Sequence, residues 1–195
     1  MGVSRSTSLT RSAVLAWIAV HGATSRADLA RALDVSPASI TQVVKQLLKV
    51  GLLKEAVVES GGIGRPAVLL DLVSGAGTTI GLKIAADHVT AVEVELSGDI
   101  IRSHTEAFDT WSDSALPNLV RFVEKFQAGR KSESPVLGLG IAIPGNVSNQ
   151  AEGVADSTQI GWSNLPIGDF LRSALGLPVI VENNVNALAV AERLH

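Results

Sequence analysis

Two short polar clusters in this chain have the residue types for ligand chemistry. They are Glu182-Asn183-Asn184, which follow the apolar run PVIV, and Pro144-Gly145-Asn146, which follow VLGLGIAI (136–143). Both sit where an apolar strand gives way to polar groups, and a polar cluster at the mouth of a sheet usually holds a ligand. Their chemistry is grip. A carboxamide donates and accepts hydrogen bonds, which suits hydroxyl groups, but it cannot act as a general base at neutral pH. The plainer reading of Asn184 is an N-cap for the helix behind it. It could serve a ligand as well only if another polar group covered the helix end.

The scaffold beneath these clusters follows from the pattern of residues 79–194. TIGLKIA (79–85), HVTAVEVEL (88–96) and IIRSHTEAF (100–108) are short, β-branched and partly alternating, with SGD (97–99) as a hairpin turn. ALPNLVRFVEKFQ (115–127) puts Leu116, Leu119, Val120, Val123 and Phe126 on one helical face. VLGLGIAI and PVIVEN (178–183) predict buried strands, and IGDFLRSALG (167–176) and NVNALAVAERL (184–194) predict helices. The order β-β-β-α-β-α-β-α predicts an α/β layer whose central parallel strands are buried on both faces, with ligands beyond the strands' carboxyl ends. The last helical pattern reaches His195 without a C-cap, a turn or a following strand. We therefore expect a second lobe of the ligand cleft to be missing from this chain.

The first seventy residues carry a different pattern. In SLTRSAVLAWIAVH (8–21), Leu9, Ala13, Trp17 and Val20 form an apolar stripe that Gly22 can end, and Trp17 is expected in the core. Ser25 caps a second helix with Asp28 near its positive end, and Leu29 and Leu33 face inward. Ser36 caps a third, with Pro37 at its first position and Ile40, Val44, Leu47 and Leu48 buried. The opposite face of that helix carries Ser39, Thr41, Gln42, Lys45 and Lys49. Two short helices joined by a tight turn, the second presenting small polar and basic groups, describe a helix-turn-helix. Gln42 can read adenine through two hydrogen bonds, Lys45 can take a phosphate or guanine, and Ser39 and Thr41 are small enough to admit the helix to a groove. LLKEAVVES (52–60) and AVLLDLV (67–73) form a hairpin wing around GGIGRP (61–66), where Arg65 is suited to a narrow, negative minor groove.

Composition limits the remaining possibilities. There is no cysteine, which excludes disulfides and thiolate metal sites within the chain. The net charge of −3 is uneven. Residues 1–72 hold eight Lys/Arg against five Asp/Glu, a net of +3, and residues 73–195 hold eight against fourteen, a net of −6. A basic first third on an acidic remainder suits an attached nucleic-acid reader. No apolar run is long enough to span a bilayer and the N-terminus lacks a secretory core, so we expect a cytoplasmic protein without a membrane partner.

Taken together, GRPAVLLDL in the wing, LGLGIAIPGNV, the pair GW…LP at 161–166 and GLPVIVENNVNALAVAE resemble the ROK family (repressors, open reading frames and sugar kinases), specifically its transcriptional-repressor branch. The resemblance covers nearly the whole chain. It implies an α/β protein with an N-terminal winged helix-turn-helix (1–72), a linker (73–78) and the first lobe only of an actin-like, ribonuclease H-like sugar-kinase ATPase fold (79–195). It further implies operator DNA as a partner, a small sugar or sugar derivative as inducer, and a homodimer or higher homo-oligomer. DNA contacts fall on Ser36, Ser39, Thr41, Gln42, Lys45 and Arg65. Sugar contacts fall on Gly145, Asn183 and Asn184. The family's zinc-binding Cys/His segment and its Glu-x-Gly-His sugar contacts would fall beyond residue 195.

Departures from the family pattern bear on catalysis. Where family kinases carry an Asp-x-Gly-Gly-Thr phosphate loop, this chain reads GLKIAADHV (81–89), with Lys83 near the expected Asp and Ala85 and Ala86 replacing the glycines. A phosphate loop needs glycines so that backbone amides can approach the phosphate. Where family kinases read Glu-Asn-Asp, this chain reads Glu182-Asn183-Asn184. We therefore expect a sugar-responsive repressor with no catalytic residues, no metal and no cofactor. The alternatives are a sugar kinase with a DNA-binding appendage, and a degenerate regulator that binds DNA but no sugar. Substituting Arg65→Ala should weaken binding to a fragment of the chain's own promoter and reduce the log–log salt slope by about one phosphate contact. Mobility-shift titrations across a salt series measure both, and unchanged affinity at every salt concentration would remove Arg65 from the interface.

Overall fold

The computed structural model describes residues 5–58, 67–149 and 152–187. The chain divides into two compact units, the first made chiefly of residues up to Ala76 and the second chiefly of residues from Gly77 onward.

In the first unit, α1 (Arg5–His21) leads through β1 (Thr24–Ser25) to α2 (Arg26–Ala32) and α3 (Pro37–Lys49), followed by β2 (Leu53–Val58) and β3 (Ala67–Leu72). Gly22 ends α1 in a left-handed conformation, φ 75°, with its amide donating to the Ile18 carbonyl. The Ser25 hydroxyl accepts from the Asp28 amide at 3.2 Å and in turn donates to the Asp28 carboxylate at 2.7 Å. That hydrogen bond, with the help of Arg31, holds the Asp28 carboxyl below the usual carboxylate range. The Ser36 hydroxyl accepts from the Ser39 amide at 3.2 Å and Pro37 opens α3, so both caps lie where the sequence places them.

Val14, Ile18, Leu29, Ile40, Val43, Val44, Leu47, Leu53 and Leu70 form the core of this unit. The stripe expected on α1 is out of phase by a residue. Val14 and Ile18 are buried, Trp17 is only partly buried and stacks on His21, and Val20 is 37% exposed. The run AVLAWIAV is apolar on nearly every side, so its periodicity does not select a face; packing against α3 and β3 does. β1 joins β3, and β3 pairs with β2 in antiparallel register from Leu53↔Leu72 to Val58↔Ala67. The wing is therefore a three-stranded sheet, and its tip, residues 59–66 with Arg65, lies outside the described residues. Two-residue β1 is invisible to alternation arguments because it exists only through its partner.

The second unit is built on a five-stranded mixed sheet in the order β11-β7-β4-β5-β6. β4 (Thr78–Ile84), β5 (His88–Glu95) and β6 (Ile100–Ala107) form an antiparallel meander. β7 (Val136–Ile143) and β11 (Val179–Asn183) run parallel to β4. α4 (Ala115–Ala128) and α5 (Ile167–Leu175) contribute their buried faces to one core with Ile80, Leu82, Leu139, Ile141, Val179 and Val181.

The expectation that the parallel strands are buried on both faces needs correction. β4 alternates strictly at its ends, with Ile80, Leu82 and Ile84 inside and Thr79 and Lys83 exposed. In β7, Leu139, Ile141 and Ile143 point into the core, while Gly138, Gly140 and Ala142 face the other way. The outer residue of β11, Ile180, is 65% exposed. The run VLGLGIAI looks continuous only because glycine and alanine count as apolar; on the outward face they bury little area.

A further three-stranded antiparallel sheet, β8 (Asn146–Asn149), β9 (Val154–Ser157) and β10 (Trp162–Pro166), interrupts the expected order between β7 and α5. Its strands are polar and four or five residues long, so their sequences lack the alternation that marks a half-buried strand.

One charge in the core organises the far side of the main sheet. Glu93 on β5 is 1% exposed and accepts from Arg102 Nε at 2.8 Å, Arg130 Nε at 2.7 Å and the Thr78 hydroxyl at 3.0 Å. The Arg102 guanidinium also lies 3.8 Å over the Phe126 ring. Burial pushes the Glu93 carboxyl up, but the hydrogen bonds from Arg102, Arg130 and Thr78 outweigh it and hold the carboxyl below its ordinary value. A depressed carboxyl stabilises the fold above its unfolded pKa and loses that contribution as pH falls through the folded pKa. Substituting Glu93→Gln strands two arginines and should cost about 3 kcal/mol or more in urea unfolding at pH 7. The variant should also show a shallower loss of stability below about pH 4.5; identical acid limbs in both proteins would refute the assignment.

Candidate functional site

The second unit brings the two polar clusters together. β7 and β11 are adjacent and parallel, with Asn183 paired to Ile143, so Pro144-Gly145 and Asn183-Asn184 leave the same edge of the sheet side by side. Gly145 is held there by close packing. Its φ is 141°, and a Cβ would lie 2.4 Å from the Asp156 carbonyl oxygen and 2.6 Å from Ser157 Cβ. This glycine lets the chain turn from β7 directly into the β8–β9 hairpin.

Asn183 occupies the centre. Its carbonyl oxygen accepts from the Val185 amide at 2.8 Å and the Asn186 amide at 3.4 Å, capping the helical residues 184–187. Its side-chain amide donates to the Gly145 carbonyl. Both ends of the carboxamide are engaged, which ties the helix start to the Pro144-Gly145 turn. Glu182 reinforces the tie: its carboxylate accepts from the Asn183 amide at 2.9 Å and from Asn186 Nδ2 at 3.2 Å. The helix end is thus covered by Asn183, the condition under which Asn184 can serve a ligand. Asn184 is half-buried, and its side chain makes no hydrogen bond with the described residues.

Lys83 lies on the exposed face of β4, beside Ala142 and with no ion-pair partner among the described residues. Ala85 and Ala86 belong to the tight turn that joins β4 to β5, closed by the Ala85 amide donating to the His88 carbonyl. No group of three or more His, Asp or Glu residues that could hold a metal ion occurs among the described residues.

In the first unit, Ser36, Ser39, Thr41, Gln42 and Lys45 all lie exposed at or along α3. Their freedom differs. Ser36 caps the helix and its hydroxyl lies 2.9 Å from that of Ser39. Thr41 donates its hydroxyl to the Pro37 carbonyl at 2.7 Å. Gln42 and Lys45 carry no such bond and lie one turn apart on the same face. Sequence reasoning missed Ala38, exposed one turn before Gln42 and small enough to admit a close partner, and Thr10 of α1, which borders a hollow of about 360 Å³ beside Ser36, Ser39 and Gln42. Ala38 could have been found from its i−4 spacing to Gln42; nothing in the sequence marked Thr10. Arg26 of α2 reaches Glu55 of β2 at 2.6 Å, bracing the wing against the helices.

A winged helix-turn-helix followed by a mixed α/β lobe with an asparagine-glycine clamp at its carboxyl edge is the architecture of a ROK actin-like fold carrying an N-terminal winged module. The chain belongs to the ROK family: the family's model matches residues 79–195, and the MarR family model matches residues 7–55. The chain is 31% identical over 179 residues to a transcriptional regulator of Mycobacterium bovis, covering 90% of this chain and 40% of that protein. It is 24% identical over 172 residues to the xylose repressor of Caldicellulosiruptor bescii, covering 87% and 43%. The crystal structure of a ROK family transcriptional regulator, a homologue of the E. coli Mlc protein, superimposes with a TM-score of 0.74 at 28% identity, covering 96% of this chain and 49% of that one. The chain thus spans less than half the length of the curated relatives it matches.

The clamp separates the roles of its members. Gly145→Ala should be severely destabilising, because its Cβ meets backbone. Asn183→Ala should cost about 1–2 kcal/mol through loss of the cap, whereas Asn184→Ala should stay within about 0.5 kcal/mol of the parent. Thermal unfolding followed by circular dichroism ranks the three; an Asn184 variant as damaged as the Asn183 variant would show that Asn184 is structural.

Proposed function

We propose that the chain carries the operator-reading domain (1–72), a linker (73–78) and the first kinase-like lobe (79–195) of a sugar-responsive transcriptional repressor without kinase activity. The observation that carries this reading is the pairing of free recognition chemistry on α3 with a proton-transfer position held by an amide. Gln42 and Lys45 are exposed and unengaged, as base and phosphate contacts require. Asn184 offers a donor and an acceptor to a sugar hydroxyl but no base. Lys83, Ala85 and Ala86, in place of an acid and two glycines, supply no metal-directing carboxylate and no phosphate cradle.

In this reading, Ser36, Ser39, Thr41, Gln42, Lys45 and Arg65 meet operator DNA. Gly145, Asn183 and Asn184 meet the sugar. Asn183 and Gly145 act by holding the turn in place, so Asn184 supplies the hydrogen bonds that discriminate hydroxyls. The inducer favours an arrangement in which paired recognition helices of a homo-oligomer no longer match the half-site spacing. No described helix is long and apolar enough to cross a membrane, in keeping with action in the cytoplasm. The commitment of Asn183 to the cap and the Gly145 tie favours one second reading, a regulator that binds DNA but no sugar.

Mobility-shift titration of a promoter fragment, with and without a panel of pentoses and hexoses, together with a radiolabelled phosphoryl-transfer assay using ATP, tests these readings. The proposal expects retarded DNA, release by at least one sugar and no labelled sugar. Retardation unaffected by every sugar supports the second reading, and labelled sugar rejects both.

A further inference from the structure

In the second unit, beyond the end of β6, a groove of about 610 Å³ opens between the start of α4 and the strand β10, within the range of roughly 300–1,000 Å³ typical of small-ligand sites. Its floor is aromatic. Trp111 is 66% exposed, the most exposed aromatic side chain among the described residues, and Phe170 on the opposite wall is 39% exposed. The Trp111 ring lies on the backbone at Gly161 and leaves the rest of the indole open to solvent.

Three contacts fix this position. The Trp111 amide donates to the Asp109 carboxylate at 3.0 Å. The indole ring lies against Gly161, φ 71°, where any Cβ would come within 2.4–2.7 Å of three ring atoms. The carbonyl of the preceding residue, buried Thr110, accepts from the Trp162 indole N–H at 2.9 Å. Trp162 is itself buried and anchors this bond from the core. Two backbone hydrogen bonds therefore hold the chain at Trp111, and the ring itself rests on the left-handed Gly161. Such preorganisation lowers the ordering cost of binding.

The polar groups around the platform specify the ligand's chemistry. Asp113 is the single charged residue lining the groove, and the Ser112 and Ser163 hydroxyls complete its polar edge. With no cation in the lining, phosphorylated or carboxylated ligands find no counter-charge. One open indole face is a platform rather than a cage, so it does not match the several convergent rings that hold a quaternary ammonium. A flat apolar face beside a carboxylate and hydroxyls matches a neutral pyranose, whose C–H face stacks on the ring while its rim hydroxyls donate to the carboxylate. This groove shares no residue with the Gly145, Asn183 and Asn184 clamp.

We infer that the Trp111 groove is a second ligand site, separate from the clamp, that takes a neutral saccharide stacked on the indole with Asp113 receiving its hydroxyls. The test uses the full chain and two probes, cellobiose and xylobiose. The indole N–H resonance of Trp111 is assigned by its disappearance in Trp111→Phe. The expected result is a saturable shift of that resonance with at least one probe at millimolar concentration. Affinity, measured by titration calorimetry in every variant because Trp111→Ala lacks the reporting resonance, should fall about tenfold or more in Trp111→Ala, by a smaller factor in Asp113→Asn, and not at all in Asn184→Ala. Because Trp111 is exposed, its replacement should leave the circular dichroism spectrum unchanged. The inference is overturned if neither disaccharide moves the resonance up to about 50 mM. It is equally overturned if Trp111→Ala binds as well as the parent, if the response vanishes in Asn184→Ala, or if tetramethylammonium shifts the resonance and the disaccharides do not.

Discussion

The parallel pairing of β7 with β11, locked by Asn183, is the constraint that organises the carboxyl edge of the main sheet. Two strands separated by more than thirty residues end at the same level because Asn183 pairs with Ile143 in the sheet and its side chain then reaches the Gly145 carbonyl. The same side chain caps the helical residues that follow. A buried or half-buried amide that makes both its donor and its acceptor bonds is worth more than either bond alone, because losing it strands two partners. Gly145 completes the lock by letting the β8–β9 hairpin lie against the turn, where a methyl group has no room.

That division of labour gives the site its chemical character. Structural duties fall on Asn183 and Gly145, so Asn184 keeps an amide with no hydrogen-bond partner among the described residues at the edge of the sheet. An amide there can donate and accept hydrogen bonds but cannot take a proton at neutral pH. Fold and chemistry are separable, and function resides in the site. In the other unit the same division appears on α3. Ser36 and Ser39 are committed to the cap, Thr41 turns its hydroxyl to the backbone, and Gln42 and Lys45 are left exposed without such a bond.

Much of this architecture is legible in the residues alone. The caps at Ser25 and Ser36, the glycine stop at Gly22, the wing strands, the meander and the order of α4, β7, α5 and β11 all rest on short-range rules: a hydroxyl three residues from an amide, or an apolar period of 2 or 3.6. Where sequence and structure part, the local signal is degenerate. AVLAWIAV can turn any of several faces inward, so the buried pair Val14 and Ile18 is selected by α3 and β3. VLGLGIAI reads as buried on both sides because glycine and alanine hide the alternation. β1, β8, β9 and β10 are short and polar, and their identity as strands comes from their pairing partners, distant in sequence for β1 and adjacent hairpin strands for β8, β9 and β10.

Residue identity and near-neighbour spacing suffice for the two-part organisation, the helix-turn-helix with its wing, and the chemical types at the clamp. They do not suffice for the choice of Asn183 over Asn184 as the helix cap, for the burial of a single face of the sheet, or for the packing of the Trp111 ring on Gly161. Those outcomes depend on which groups arrive from remote segments: a carbonyl at Gly145, a glycine at 161, two arginines around Glu93. Hydrogen-bond partners and close approaches of that kind are set by chain topology, and residue type alone cannot supply them.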